Sequence, residues 1–502
     1  MNGLVFETPP AAPPASAWRN DLVCFVGQVA VREGDPPADL SDWLRAQGWW
    51  APPGVKALRP GSLYDLPLPV ASWERFDRLF AWERRPHAEG VFGAAYLAAA
   101  VRAFFAQGGR QCYVISVAEP LPPQADAAAR VQRLALLVPP ERGQRSHREQ
   151  WHGLHHLFGL PEVALVALPD LPELVAEPPV PVEPAPSPAP AAQPDFLPCS
   201  EPAAPPAPDR PVLRLEAPRC SDAGYGTWQA VLRRALRWIG DWRRDLMLLA
   251  ALPLPQHDSE AARDPAAFLD ARGWFAPEGE LASARLHLAW PWLRGSAGLD
   301  LPQGLEPPDG ALAGLLARNA LVQGTFRNAT PLAPQGLVQT VPVLDRSARN
   351  APLGGVPLQE RLCLWGDGPR GLRLRSDVTT APDPLRRQGG VARTLGLVLR
   401  AARRIGEEFV FEPAGETLWA RVERRLGELL ARLQAAGALH DGPGGGFGVR
   451  CDRSTMSAAD IDAGRVIAHA WIRPAAGIER LHVRLVLGDG RVAVSADARD
   501  AA

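Results

Sequence analysis

Lysine is almost absent from this 502-residue chain, in which Lys56 is the only one and arginine carries nearly all of the basic charge. A phosphate-binding loop of the GxxxxGK[ST] type needs a lysine ahead of its Ser or Thr, and no such segment occurs. Lys56 is also the single residue that could form a lysine Schiff base. The scarcity of lysine therefore argues against a P-loop nucleotide hydrolase and against lysine-based covalent catalysis.

An excess of positive charge is also missing, because 54 basic residues are balanced by 55 acidic ones. The chain as a whole would not attract a polyanion or an acidic membrane surface. No stretch approaches the ~18 apolar residues of a membrane helix. The first residues show neither a basic n-region nor an apolar h-region. We therefore expect no nucleic-acid partner, no direct membrane insertion, and folding in the bacterial cytoplasm.

Cysteine is sparse, and the six cysteines are scattered without CxxC spacing, which predicts reduced, buried thiols. Histidine clusters once, at His147, His152, His155 and His156. No Cys, Asp or second His pair stands near them in sequence to complete the four ligands of a zinc site, so a partly exposed helix face is expected. A GxSxG elbow is missing as well. The sequence thus predicts no metal, no cofactor and no enzyme activity.

What the chain does contain is an alternation of strand and helix patterns from residue 21 onward. Apolar runs predict strands at 22–27, 112–117, 163–168 and 246–251. Amphipathic periods predict helices at 72–80, behind Ser72 as its cap, and at 96–107. Such alternation is typical of a layered α/β domain.

Proline interrupts this pattern between Leu171 and Pro211. Because proline lacks the backbone donor and clashes inside a helix, neither a helix nor a central strand is expected there. We interpret residues 171–212 as a linker or a surface insertion.

A short internal echo lies on both sides of the proline-rich stretch, at 39–54 and 264–279. Both copies contain a GW-aromatic-AP segment, with the rings Trp49-Trp50 and Trp274-Phe275. These rings are either docking loops or plugs of the core beneath a turn, and the usual behaviour of large aromatics favours the plug.

Five separated blocks resemble contractile tail sheath proteins, and they occur in the order of that family. The C-terminal block combines an aromatic strand ending in Glu-Pro, a Trp-bearing helix, a Gly stop, a strand with Arg450-Cys451-Asp452, and a DIDxG turn. In chain order the blocks are LPVASWERFDRLF (68–80), AAYLAAAVRAFFAQGGRQCYVISV (94–117), WPWLRG (290–295), PPDGALAGLLARN (307–319), and FVFEPAGETLWARV (409–422) with FGVRCDRSTMSAADIDAGRVIAHAWIRP (447–474).

The resemblance implies an outer layered α/β domain with insertions, a smaller inner α+β C-terminal domain, and extended terminal arms. The expected division is an N-terminal arm at 1–20, the outer domain at 21–170 and 213–350 with the insertion at 171–212 between its two parts, the inner sheath domain at 351–490, and a C-terminal arm at 491–502. The arms of such proteins add strands to neighbouring subunits. The candidate residues for strand exchange are Leu4, Val5, Phe6, Val483, Leu485 and Leu487.

The amphipathic segment from Glu416 to about Ala436 is the expected tube-facing helix. Its apolar stripe predicts one buried face, and the opposite face is charged. The candidate tube contacts are Arg421, Arg424, Arg425, Glu428 and Arg432. The alternative is that these charges are only solvated or paired at i,i+4 spacing.

The expected function is therefore mechanical: a sheath subunit that polymerises helically around an inner tube and contracts, within a phage tail or a phage-tail-like injection particle. Its expected partners are copies of itself, the tube protein, and baseplate and cap proteins. Two segments, FRNATPL (326–332) and LCLWGDGPRGLRLRSD (362–377), depart from the family pattern. They leave open a sheath-like adaptor at the baseplate or cap that does not polymerise. A hydrolase on the α/β layers is the alternative from another class.

Overall fold

The computed structural model describes residues 20–50, 62–88, 91–140, 148–178, 216–330, 332–368, 371–442, 445–475, 481–488 and 491–498. The arm residues Leu4, Val5 and Phe6 lie outside these ranges. The strands are β1 (Val23–Gly27), β2 (Leu68–Val70), β3 (Arg85–Ala88), β4 (Val91–Gly93), β5 (Cys112–Ser116), β6 (Leu165–Ala167), β7 (Arg219–Cys220), β8 (Met247–Ala251), β9 (Leu254–Pro255), β10 (Leu286–Trp290), β11 (Trp292–Gly295), β12 (Leu305–Glu306), β13 (Leu337–Val341), β14 (Pro352–Leu353), β15 (Val356–Pro357), β16 (Cys363–Gly368), β17 (Gly371–Leu374), β18 (Phe447–Arg450), β19 (Val466–Ile472), β20 (Leu481–Gly488) and β21 (Arg491–Ala498).

The helices are α1 (Ala38–Ala46), α2 (Trp73–Leu79), α3 (Tyr96–Ala106), α4 (Ala127–Leu137), α5 (Leu171–Leu174), α6 (Asp222–Trp242), α7 (Glu260–Arg263), α8 (Pro265–Ala271), α9 (Pro308–Val322), α10 (Arg346–Asn350), α11 (Pro384–Arg387), α12 (Gly389–Phe409), α13 (Glu416–Ala435) and α14 (Ala458–Asp462). The predicted strands correspond to β1, β5, β6 and β8, and the predicted helices to α2, α3 and α13, with small differences at their ends. Ser72 caps α2 by accepting a hydrogen bond from the Arg75 amide.

An eight-stranded sheet in the order β17-β16-β10-β8-β6-β1-β5-β2 forms the centre of the first body. The six strands β5, β1, β6, β8, β10 and β16 pair in parallel, and antiparallel strands flank them on both edges. Successive residues of each strand face two different apolar clusters, as on β1, where Cys24 and Val26 face one cluster and Val23 and Phe25 the other. Both faces are therefore covered, as parallel sheets require, and the predicted α/β fold is confirmed.

The second body has two layers, a sheet in the order β18-β19-β20-β21 and the helices α12 and α13 packed on it. Its apolar cluster includes residues from Leu385 to Leu487. The predicted stripe of α13 is buried there and consists of Leu418, Val422, Leu426, Leu429 and Leu433.

By sheet pairing, the boundary between the two bodies lies further along the chain than the expected start of the C-terminal domain at residue 351. Strands β16 and β17 belong to the large sheet through the pairing of β16 with β10. Residues up to Leu374 therefore pack with the first body, although the sequence assigned 351–490 to the C-terminal domain. At the other end, β21 pairs with β20 along its whole length, whereas 491–502 was expected to be an arm.

Two local predictions are wrong. The aromatic run Phe409–Glu412 is not a strand, because the amphipathic period of α12 continues through Ala402, Ile405 and Phe409, which are buried, and leaves Phe411 97% exposed. The proline-rich stretch was predicted to lack helix from Leu171 onward, yet Leu171–Leu174 forms the short helix α5. Its proline stands in the first turn, where a missing amide costs nothing, and its leucines are buried.

Candidate functional site

The edges of the C-terminal sheet are the first candidate for an assembly surface. In the row β18-β19-β20-β21 the two outer strands each have one neighbour within the part of the chain that the structure describes. An edge strand leaves backbone donors and acceptors available to a further strand. The predicted exchange residues Val483, Leu485 and Leu487 lie on the central strand β20, and their side chains are buried against the helices. Within a single chain β20 pairs with its own neighbours, and strand exchange remains a prediction.

The outer face of α13 carries every predicted tube-contact residue at an exposed position. Several of them form ion pairs, with Arg425 3.0 Å from Glu408 and Arg424 3.9 Å from Glu428. Arg421 pairs with Glu412. Such exposed pairs contribute ~0–1 kcal/mol each and remain open to exchange for another partner. The face is therefore a mixed-charge surface, with acidic residues of α12 beside the arginines.

A basic ladder crosses the C-terminal sheet, and sequence inspection did not find it. Arg450 is paired with His469, and His469 with Arg484, at facing positions of β18, β19 and β20. All three residues are exposed, whereas the helices cover the other face of the sheet. Arg450 and Arg484 therefore carry positive charge on the face of the sheet opposite the helices, with the His469 side chain between them. The sequence signal was a basic or imidazole side chain within each of three separate strands.

A buried charge cluster joins α12 to the first body. Asp245 lies 3.0 Å from Arg243, 3.7 Å from Arg400 and 3.5 Å from Arg403. Arg400 also donates to the side-chain carbonyl of Asn20. Burial by itself would raise the pKa of Asp245, but the three guanidinium groups bring it down to about 2.

A second buried pair anchors the start of the same helix. Arg393 donates to both carboxylate oxygens of Asp377 at 2.6 and 2.7 Å, and both side chains are almost completely buried. The amide of Ala329 adds a third hydrogen bond to that carboxylate. Because a bidentate, fully hydrogen-bonded pair fixes geometry well, α12 is held firmly against the large sheet.

The carboxyl ends of β1 and β6 form the topological switch point of the large sheet, where such folds bind ligands. Here a side chain of the protein fills the position. The Asp170 carboxylate accepts hydrogen bonds from the amides of Gln28, directly after β1, at 2.7 Å and of Leu97, in the first turn of α3, at 3.0 Å. Burial raises the pKa of Asp170 to about 7, against the effect of the two amides. A helix N-terminus that could hold a phosphate is thus already occupied.

The histidine cluster has a structural role. Asp65 accepts hydrogen bonds from His152 at 2.6 Å, from His156 at 3.0 Å and from the Gly153 amide at 2.9 Å. Burial alone would raise the pKa of Asp65, but these donors hold it well below its usual range. His155 and His156 are buried members of a 3-10 helix, Gly153–Gly159, so the expectation of a partly exposed helix face is wrong for these two.

Both GW loops pack onto the core. Phe275 is fully buried, and Trp49 packs against Trp151 with ring centroids 5.7 Å apart. Gly48 and Gly273 both have positive φ, 70° and 66°, which places a left-handed residue at the same point of each copy. The interpretation as core plugs fits this packing.

Among the described residues, no group of three or more His, Cys, Asp or Glu side chains is arranged to hold a metal ion. The described cysteines are free and buried, as predicted, and Cys199 lies outside the described residues. Within the described ranges, no helix has the length and apolar character of a membrane span.

No family model matches the chain, and no curated protein is similar to it in sequence. Solved structures are similar over almost its whole length. A chain of the sixfold-symmetrised cryo-EM baseplate of the anti-feeding prophage has a TM-score of 0.55 and 17% identity, covering 94% of this chain and 95% of that one. The contracted helical sheath of the anti-feeding prophage has a TM-score of 0.53 and 18% sequence identity, and the match covers 95% of this chain and 96% of that one.

A third structure, the contracted PVC sheath complex of an extracellular contractile injection system, gives a TM-score of 0.51 and 15% identity, with 94% of each chain covered. The chain therefore has the fold of contractile sheath proteins. The resemblance inferred from the sequence is confirmed at the level of the fold.

Proposed function

We propose that the chain is a structural subunit of a contractile injection particle or phage tail, and that it polymerises as a sheath around an inner tube. The observation that carries this proposal is the match to two contracted sheath structures over nearly the whole of both chains. A partial match would have indicated only a shared domain.

The edges of the C-terminal sheet support polymerisation. A strand donated by a neighbouring copy would satisfy the backbone groups of β18 or β21 along a whole edge. The donors we propose are the arm around Leu4, Val5 and Phe6 and the segment that contains Val483, Leu485 and Leu487. A head-to-tail contact of this kind that does not close into a ring generates an open helix.

Contraction is then a switch between two packings of rigid subunits that stay connected by exchanged strands. The buried ion pairs on α12 support this idea, because they join the two bodies of each subunit into one unit. The free energy is stored when the extended lattice assembles, so the subunit needs no nucleotide. Occupation of the switch-point helix terminus by Asp170 agrees with this and argues against the hydrolase alternative.

The partners that follow from this function are further copies of the chain, the inner tube, and baseplate and cap proteins. We also propose that the subunit is assembled in the bacterial cytoplasm before it becomes part of such a particle. We place the tube contact on the outer face of α13, with the basic ladder as the second possible surface.

A non-polymerising adaptor is the second candidate, because the baseplate structure matches as well as the sheath structures do. Negative-stain electron microscopy of the purified chain, alone and with its tube protein, separates the two. Striated hollow cylinders are the expected result. Single rings or discrete particles at every concentration, with and without tube, would contradict the sheath function and favour the adaptor.

A further inference from the structure

A crevice opens at the carboxyl edge of the parallel sheet, next to the occupied helix terminus. Its volume is about 280 Å³, close to the lower end of the ~300–1,000 Å³ range of ligand pockets. Strand β3, the segments after β6 and β9, and the residues that lead into β7 contribute to its walls. None of the assembly surfaces described above includes it.

Three buried polar side chains form the floor of this crevice. Arg85, His87 and Glu173 are 3%, 3% and 6% exposed, although all three line the cavity. Arg85 donates to His87 Nδ1 at 2.9 Å and to one carboxylate oxygen of Glu173. Burial, with the Arg85 charge beside it, lowers the pKa of His87 to about 4. The imidazole is therefore neutral at pH 7 and accepts the hydrogen bond.

On this floor one hydrogen-bond acceptor and one hydrogen-bond donor are left without a partner among the described residues. Among the described residues, neither Oε2 of Glu173 nor Nε of Arg85 has a hydrogen-bond partner, and both atoms are buried. An unpaired buried polar atom costs ~1–3 kcal/mol. A chain retains such atoms most readily where something else binds them.

The walls select for a small ligand without net charge. Prolines 123, 178, 218 and 302 give the crevice an apolar side. The guanidinium group of Arg130 donates its hydrogen bonds to backbone carbonyls, among them those of Pro123, Glu173 and Ala176. The acidic side chains Glu177 and Glu216 offset the remaining positive charge of the lining.

We infer that this crevice is a binding site for a free small molecule of the amino-acid class, which donates a hydrogen bond to Glu173, accepts one from Arg85, and places its apolar part against the prolines. Amino-acid zwitterions and carboxamides combine a hydrogen-bond donor and an acceptor in one small molecule without net charge. A phosphate-bearing ligand fits poorly, because Glu173 would repel it. The inference is independent of whether the chain polymerises.

Saturation-transfer NMR of the full-length chain with a mixture of the twenty L-amino acids tests this inference, with inorganic phosphate as the contrasting probe in a competition arm. We expect at least one amino acid to bind and phosphate not to displace it. Glu173→Gln should weaken that binding about tenfold to hundredfold, because it removes a charged hydrogen-bond acceptor.

His257 at the rim provides a variant pair that leaves the buried floor intact. Its side chain is 64% exposed, so both His257→Trp and His257→Ala should fold. The tryptophan should obstruct the mouth and weaken binding, and the alanine should leave it unchanged. If no amino acid binds, if phosphate displaces the bound one, or if both His257 variants bind like the parent chain, the inference is wrong.

Discussion

At the scale of single residues, the buried carboxylates differ in the donors that surround them. Asp65 and Asp245 are each held by several donors, and their pKa values are lowered. Glu306 and Asp309 are equally buried, but both oxygens of Glu306 and Oδ2 of Asp309 lack a partner among the described residues. Burial, with the neighbouring Asp309 charge, raises the pKa of Glu306 to about 8. Burial also raises that of Asp309 to about 7.

Replacing Glu306 by Gln should make stability less dependent on pH. The raised pKa means that the folded chain holds a proton that the unfolded chain releases above about pH 4.5, so the wild-type chain loses stability as pH rises towards 8. The difference in free energy of unfolding between Glu306→Gln and wild type should move in favour of the variant by roughly 1–3 kcal/mol between pH 5 and pH 8.

Urea denaturation at several pH values measures this difference. Glu278→Gln, at an exposed position, is the matched control and should follow the wild type. A constant difference between Glu306→Gln and wild type across this range would contradict the prediction.

At the scale of elements, α12 connects the two bodies. Its buried arginines 393 and 400 and its partly buried Arg403 all pair with carboxylates of the first body. Its apolar side packs in the core of the second. One helix therefore belongs to both bodies.

Asp245→Asn should lower the free energy of unfolding by about 3–5 kcal/mol at pH 7, because the buried Arg243 and Arg400 and the partly buried Arg403 lose their shared counter-ion. Since the pKa of Asp245 is depressed to about 2 in the folded chain, its contribution is complete above about pH 4 and is lost as pH falls towards 2. The effect of the substitution should shrink over that window.

Denaturant titrations from pH 7 to pH 2.5 check this, with the exposed Asp42→Asn as control. Adding Arg400→Met to Asp245→Asn should restore part of the stability, because it removes a buried positive charge that has lost the Asp245 carboxylate. A double variant no more stable than Asp245→Asn would count against the proposed cluster.

The exposed outer face of α13, in the second body, offers a test of the proposed tube contact. Arg424→Glu with Arg432→Glu reverses charge at exposed positions and should leave the fold intact. If this face binds the tube, co-assembly should drop at least tenfold, and more strongly at low salt. Sedimentation of sheath with tube measures it.

Two further variants, tested in the same sedimentation assay, distinguish the outer face of α13 from the basic ladder as the tube-binding surface. Arg346→Glu, exposed on the first body, should behave like wild type. Arg484→Glu probes the basic ladder on the opposite face of the sheet. Loss of co-assembly in Arg484→Glu alone would move the tube contact from α13 to the ladder.

At the scale of the whole molecule, the proposed polymerisation depends on strands that the arms and sheet edges would exchange between copies. Replacing Leu4, Val5 and Phe6 together by serine should abolish cylinders while leaving the monomer's melting temperature unchanged, because a donated strand would lose its apolar anchors. Electron microscopy and light scattering at matched concentrations provide the readout.

Alanine at Pro9, Pro10, Pro13 and Pro14 is the control within the same arm, since it keeps the apolar patch. This control should still form cylinders. Equal assembly by the serine variant and the wild type would show that the N-terminal arm does not donate a strand.

The sequence by itself determined the features that depend on local order: the α/β class, the strands β1, β5, β6 and β8, and the buried stripe of α13. The side-chain periods of a strand, two residues, and of a helix, 3.6 residues, depend only on positions that are close in the sequence. They can therefore be recognised before the fold is known. Phe409–Glu412 marks the limit of this approach, because an aromatic run fits either period until the packing of α12 decides.

Only the tertiary structure decided the order of the sheet, the placement of Asp170 at the start of α3, the pairing of Arg400 with Asp245, and the meeting of Arg85 with Glu173. In each case the partners are far apart in the chain and come together through strand order. Local composition carries no record of that order, because the free energy that fixes it comes from burying both faces of one sheet at once.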